Sequence, residues 1–289
     1  MSAAATPASG FAPYVRLLRP RQWVKNVFVV APLFFTPEAV NARYLAIVGL
    51  AFAVFCLFAS TIYIVNDYFD READRLHPEK RNRPLASGQV SAGAAWALAA
   101  ALAGLAALLT LTVMPRAFAL MAFGYLALNI LYSLWLKHVS LLDVMVISVG
   151  FVLRVAAGAV AIDVEPTVWI VVCTWLLALF LALAKRRDDL VRALSGTHRP
   201  SLGGYNLPFI DASLAMVLGS LLVSYIIYTT QTEHLYLTAP FVAAGVLRYL
   251  QITLVEQRSG SPTELALRDR FLVVTILGWI ATFAALIYT

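Results

Sequence analysis

The sequence predicts an all-α integral membrane protein built as a bundle of nine transmembrane helices, and three observations predict it. Hydrophobic residues make up 61% of the 289, while charged residues make up 13%, about half the roughly 25% usual in soluble domains. Apolar runs of about 17–25 residues, each long enough to cross the hydrocarbon core, recur along the chain. The lysines and arginines fall almost wholly in alternate connections between those runs.

The elements follow in order. Residues 1–15 carry no charged start followed by an apolar core, so they read as a short disordered tail and not a cleaved signal. Residues 16–289 form one membrane domain. Its first stretch, Trp23–Phe35, is short and ends at Thr36-Pro37; it spans if tilted or extended. Eight clear runs follow: Tyr44–Val65, Ala92–Val113, Ala117–Leu136, Val139–Ile162, Thr167–Ala184, Leu214–Thr230, Leu235–Val255 and Phe271–Tyr288.

Counting Trp23–Phe35 as a span puts 19 of the 22 lysines and arginines on one side and two, Arg43 and Arg116, on the other; Arg154 alone lies well within a span. That split places the N-terminus and the long loops in the cytoplasm, at the inner face of the cell membrane. The net charge of +6 is then loop bias, not a nucleic-acid footprint. Cys56 and Cys173 each lie inside an apolar run, and the four histidines are scattered. Neither a disulfide framework nor a zinc site is expected.

Chemistry concentrates where the second span runs out into its loop, as Asn66-Asp67-Tyr-Phe-Asp70-Arg-Glu-Ala-Asp74. Helix residues four apart share a face, so Asn66, Asp70 and Asp74 form a column, with Asp67 three residues before Asp70 and Tyr63 on the same stripe. Crowded carboxylates repel unless cations occupy the site. Oxygen-only donors suit Mg2+, which keeps waters and substrate phosphates in its shell. The competing reading is a solvated helix end neutralised by Arg71 and Arg75. Lys80, Arg81 and Arg83 follow within four residues, closed by turn residues Pro84 and Gly88. They suit phosphate oxygens; ordinary cytoplasmic charge bias is the alternative.

The stretch NDYFDREADRLHPEKRNRPLASG resembles the first signature of the UbiA superfamily of intramembrane prenyltransferases, and the nine-span layout resembles that family along nearly the whole chain. The resemblance implies a central cavity open to the cytoplasm and, sideways, to lipid. The second signature departs from the family pattern D-x-x-x-D. Here the place reads Lys185-Arg186-Arg187-Asp188-Asp189, with Lys185 for the first acid and Asp189 for the second. An ammonium there favours direct contact with phosphate over a second metal cluster.

That departure resembles one branch, the decaprenyl-phosphate phosphoribosyltransferases. Arg19-Pro-Arg-Gln-Trp-Val-Lys25-Asn26, Leu142-Asp143 followed by Phe151-Val-Leu-Arg154, and Pro262-Thr-Glu-Leu-Ala-Leu-Arg268-Asp-Arg270 are similar to its other motifs. The resemblance implies transfer of a 5-phosphoribosyl group from phosphoribosyl diphosphate to a polyprenyl phosphate. Asn66, Asp67, Asp70 and Asp74 would hold Mg2+. Lys25, Tyr63, Lys80, Arg81, Arg83, Lys185, Arg186 and Asp189 would line the substrates.

Three residues stand with two readings each. Arg154, costly inside a span, lies about three turns from Asp143 and either pairs with it or reaches a phosphate. Lys137 either meets the lipid phosphate or snorkels. Tyr205, after Gly203-Gly204, either caps the site or is a plain surface tyrosine. A prenyl transfer to an aromatic acceptor, and a lipid transporter, are the rival functions.

Overall fold

The computed structural model describes residues 10–78, 80–193, 200–257 and 262–288. Every regular element among them is helical: α1 (Ala12–Leu18), a 3-10 segment (Pro20–Val29), α2 (Ala31–Phe34), α3 (Ala42–Leu76), α4 (Ala92–Thr112), α5 (Arg116–Leu134), α6 (Leu142–Ala161), α7 (Val168–Ala193), α8 (Leu207–Thr229), α9 (Ala239–Leu254), α10 (Pro262–Arg268) and α11 (Arg270–Ile287). Eight helical stretches, α3 to α9 and α11, are long and apolar enough to cross a membrane among the described residues, α9 counted with the 3-10 turn before it. Apolar surroundings demand that the backbone satisfy itself, which the helix does. Polar caps set several starts. Asn41 accepts from the Tyr44 amide at 2.9 Å to open α3, Ser91 from Ala94 at 3.2 Å to open α4, and Asn206 from Phe209 at 2.8 Å to open α8.

Among the described residues eight helices, against the expected nine, are long and apolar enough to cross a membrane. Trp23–Phe35 is a 3-10 segment followed by four α-helical residues, with Pro20 and Pro32 each removing a backbone donor. Together with α1 it nevertheless runs along α3 from Ile64 to Val48. Trp23 Nε1 donates to Ser60 Oγ at 3.0 Å, and Asn26 Nδ2 reaches Cys56 Sγ at 3.3 Å. Leu17 shares a core with Ile64, and Leu33 shares another with Val48 and Ile162. From Ile64 to Val48 is about 24 Å along a helix axis. The ten-residue 3-10 segment, rising about 2.0 Å per residue, covers most of that distance. Helix α1 begins at Ala12, inside the stretch expected as a tail; residues 1–9 lie outside the described residues, as do His198, Arg199 and Arg258 among the loop residues.

The chain divides into two compact units. The first comprises the N-terminal stretch to Phe34, Ala39–Ser133 and Ala156–Val164. Here α3 packs on α4 and on the 3-10 segment, and Phe55 meets Phe118 and Tyr125 of α5 at 6.0 and 5.0 Å between ring centres. Gly158 lies directly against Val29, where a Cβ would overlap the Val29 carbonyl. A residue without a side chain is what lets the two backbones meet.

The second unit comprises Phe35–Glu38, Leu134–Val155 and Glu165–Thr289. Its core includes Val144, Phe180, Leu183, Tyr205, Leu214 and Tyr249. Helix α7 packs along α8, and α9 packs along α11.

Candidate active site

In the first unit, α3 continues past its apolar portion to Leu76, carrying Asn66, Asp67, Asp70 and Asp74. Asp67 and Asp74 are seven residues apart, close to two turns, so they project on one side. Both are nearly shut from solvent, at 2% and 4% exposure. Buried carboxylates need cationic partners. Arg83 supplies one: its Nη1 lies 2.6 Å from Asp74 Oδ2 and 3.2 Å from Asp67 Oδ1. Arg19 supplies the other, donating to the same Asp67 oxygen. Its guanidinium also lies over the Tyr63 ring, 5.1 Å from the centre. Asn66 and Asp70 make a separate pair, Nδ2 to Oδ2 at 2.9 Å.

Local sequence explains these placements. Arg19 precedes Pro20 and adopts a left-handed φ of 52°, which turns the chain from α1 into the 3-10 segment. Proline disfavours a right-handed helical conformation in the residue before it. After α3 the chain folds back: the Ser87 amide and hydroxyl both donate to the Arg83 carbonyl, the latter at 2.8 Å, and Pro84, Leu85 and Ala86 are buried. Gly88, at φ +75°, takes a turn conformation that glycine adopts without cost. Lys80 and Arg81 stay exposed, and Lys25 is half-buried on the 3-10 segment. A cleft of about 350 Å³ opens beside this loop, lined by Arg71, Glu72, Arg75, Gly88 and Ser91 among others. None of the four acid-column residues lines it.

In the second unit, Asp143 at the start of α6 is the hub, fully buried. Its Oδ2 accepts from Arg186 Nε at 2.6 Å, and its Oδ1 accepts from the Tyr205 hydroxyl at 2.6 Å. Tyr205 oxygen in turn accepts from the Leu141 amide at 2.7 Å. Arg186 Nη1 reaches Asp189 Oδ2 at 2.5 Å. Ser140 Oγ donates to the Ser201 carbonyl at 2.7 Å, and Gly204 abuts that same serine. The loop before α8 is thereby tied to the loop before α6. Burial, then the hydrogen bond to Asp143, pushes the Tyr205 phenol well above its usual range. Nearby, Arg187 bridges Asp211 at 2.6 Å and the Thr253 carbonyl at 2.9 Å. Arg248 clasps Asp269 at 2.7 Å, and this hydrogen bond holds the Asp269 carboxyl below its usual range.

Residues 27–276 match the model of the UbiA prenyltransferase family. The chain belongs to that family. It is 33% identical to a decaprenyl-phosphate phosphoribosyltransferase of Mycolicibacterium smegmatis over 314 aligned residues, covering 100% of this chain and 98% of the relative. It is 36% identical to the Corynebacterium glutamicum protein of that name, covering 95% and 86%. Its fold matches a UbiA homolog from Archaeoglobus fulgidus bound to DMAPP and Mg2+, with a TM-score of 0.72, 22% identity and 96% and 99% of the two chains covered. This UbiA-family protein is a multi-pass membrane transferase.

The family resemblance implied a role for each site residue, and the structure shows what several of them touch. Arg186 was expected to line the substrates; it is 1% exposed and pairs with Asp143 and Asp189. Successive helix residues point about 100° apart. Lys185 therefore faces outward, exposed, while Arg186 turns inward. Asp189 serves that ion pair. Tyr205 is buried and latches two loops.

Arg154 donates to the Gly150 carbonyl at 2.9 Å and lies 5.0 Å from the Phe151 ring centre; the oxygens of Asp143 go to Arg186 and Tyr205. Lys137 is half-buried in a 3-10 turn. Sequence reasoning missed Arg19 as a partner of the acid column, although Arg19 opens the motif that runs to Asn26.

Among the described residues, no three His, Cys, Asp or Glu side chains converge as a ready-made metal cage. The donor set still fits Mg2+. It is all oxygen, and Asp67 and Asp74 stand close enough to share one guanidinium nitrogen. Mg2+ commonly takes one or two carboxylates and completes its shell with substrate phosphates and water.

Proposed function

We propose that this UbiA-family enzyme transfers the 5-phosphoribosyl group of 5-phosphoribosyl 1-diphosphate to a polyprenyl phosphate and releases diphosphate. The observation that carries this reading is the end-to-end alignment with relatives named decaprenyl-phosphate phosphoribosyltransferase. The geometry of the first unit supports it: buried carboxylates at a helix end, ringed by arginines.

Asn66, Asp67, Asp70 and Asp74 would hold Mg2+, which would supply charge neutralisation for a diphosphate leaving group. Arg83, Lys80, Arg81 and Lys25 face the donor phosphates. The bond from the anomeric carbon to diphosphate oxygen breaks, and diphosphate leaves with the electron pair. A polyprenyl phosphate oxygen forms the new bond. That nucleophile is already an anion, so no general base is needed, and the side chains act by positioning and electrostatic stabilisation. The strongly basic loops support the cytoplasmic face as the side of this chemistry.

Purified protein in detergent, given 5-phosphoribosyl 1-diphosphate and decaprenyl phosphate with Mg2+, should yield a lipid heavier by one phosphoribosyl unit, read by mass spectrometry. A parallel reaction with prenyl diphosphate and an aromatic acid should yield nothing. The reverse pattern would assign a prenyl transfer, and no product from either pair would leave transport as the function.

A further inference from the structure

The buried carboxylates of α3 already have cations. Asp67 Oδ1 accepts from both Arg19 and Arg83, and Asp74 Oδ2 accepts from Arg83. An ionised carboxylate oxygen has room for about two such bonds. The Asp67 oxygen is thus fully committed. A divalent metal seeking it must displace a guanidinium, and a metal arriving alone leaves that guanidinium beside two positive charges with nothing to accept it. A diphosphate arriving with the metal brings acceptor oxygens that suit the guanidinium fork.

The two arginines are held differently. Arg19 is pinned by its left-handed backbone and by the Tyr63 ring. Arg83 is anchored through its backbone carbonyl, by Ser87, while its half-buried side chain reaches both carboxylates. That anchor holds its backbone and not its guanidinium.

We propose that Arg83 is an exchange cation: it stands between Asp67 and Asp74 in the place of the metal, and passes to the diphosphate when metal and diphosphate enter together. This rests on the reading of α3 as the metal–diphosphate site, and adds that the two ligands bind in concert. Coupling is reciprocal, so diphosphate tightens metal binding by the factor by which metal tightens diphosphate binding.

The test is equilibrium dialysis of Mn2+ against the full-length protein in detergent, with and without inorganic diphosphate, at matched free Mn2+. Wild type should bind Mn2+ weakly alone and about tenfold more tightly or better with diphosphate. Arg83→Gln should bind Mn2+ alone about tenfold more tightly than wild type and lose most of the diphosphate effect. Arg83→Lys keeps a charge but cannot bridge two carboxylates as a guanidinium does, and should fall between; it carries the comparison if Arg83→Gln does not fold. A purely structural Arg83 would lower stability without raising affinity for metal alone. If Arg83→Gln binds Mn2+ no better than wild type while diphosphate still tightens both, the exchange is wrong and the metal–diphosphate site stands. If wild type retains no Mn2+ even with diphosphate, both are wrong.

Discussion

Arg186 donates Nε–H to Oδ2 of Asp143 at 2.6 Å across 43 positions of sequence, and neither side chain is more than 1% exposed. A buried ion pair adds little over a well-packed apolar pair, yet removing one partner leaves an uncompensated charge. Arg186→Gln or Asp143→Ala should therefore destabilise the protein by about 3–5 kcal/mol, seen as a lower melting temperature in detergent. Lys185→Gln, one residue earlier and exposed, should leave the melting temperature in place and raise KM for the sugar donor. Equal melting temperatures for Arg186→Gln and Lys185→Gln would count against this division of labour.

Tyr205 gives this network a pH signature. Its pKa is raised in the folded protein above the usual 10.0, by burial first and by the bond to Asp143 second. The folded state therefore holds its proton where the unfolded chain gives it up. The stabilisation is complete below pH 10 and is lost as pH rises beyond it. Unfolding should grow steeper with pH above that point, and Tyr205→Phe should flatten the alkaline limb while lowering stability near neutrality by about 1.5–3 kcal/mol for the bond to a charged group. An unchanged alkaline limb in the variant would place the titration elsewhere.

Asp70 is the cleanest probe of the acid column. Its Oδ2 accepts from Asn66, and an amide oxygen at position 70 can accept the same bond, though more weakly. Asp70→Asn thus keeps the local bond and removes the charge. Turnover should fall by about 100-fold or more with the melting temperature unchanged. Normal turnover would remove Asp70 from the site.

Two glycines make a packing contrast. Gly158 abuts the Val29 backbone, whereas Gly124, inside α5, has nothing within 4 Å of an added Cβ. Gly158→Val should destabilise by about 1–3 kcal/mol through overpacking. Gly124→Ala should be neutral or gain about 0.5–1 kcal/mol from helix propensity. Thermal melts of both variants in detergent decide it; similar losses at the two sites would sink the contrast.

What the sequence made legible was whatever is local. Eight apolar runs became eight membrane-length helices because hydropathy over about 20 residues is a local sum. The Asn66–Asp74 spacing marked a helix face for the same reason. What stayed hidden was long-range pairing. Lys185, Arg186 and Arg187 look alike in the sequence, yet one faces out, one holds Asp143 and one holds Asp211. Nothing near Arg83 announces that it closes on Asp67, 16 positions back. Trp23–Phe35 was apolar enough to be noticed, but hydropathy carries no information on whether a backbone bonds three or four residues back.

The bond from Arg19 to Asp67 also fixes an order of events at the ribosome. Arg19 is synthesised 48 positions before its partner, so the amino-terminal stretch has no acid column to hold it until α3 has been made. Arg83 follows 16 positions after Asp67. The amino-terminal stretch can settle once α3 has emerged, while both arginines can close on Asp67 only after translation has passed Arg83.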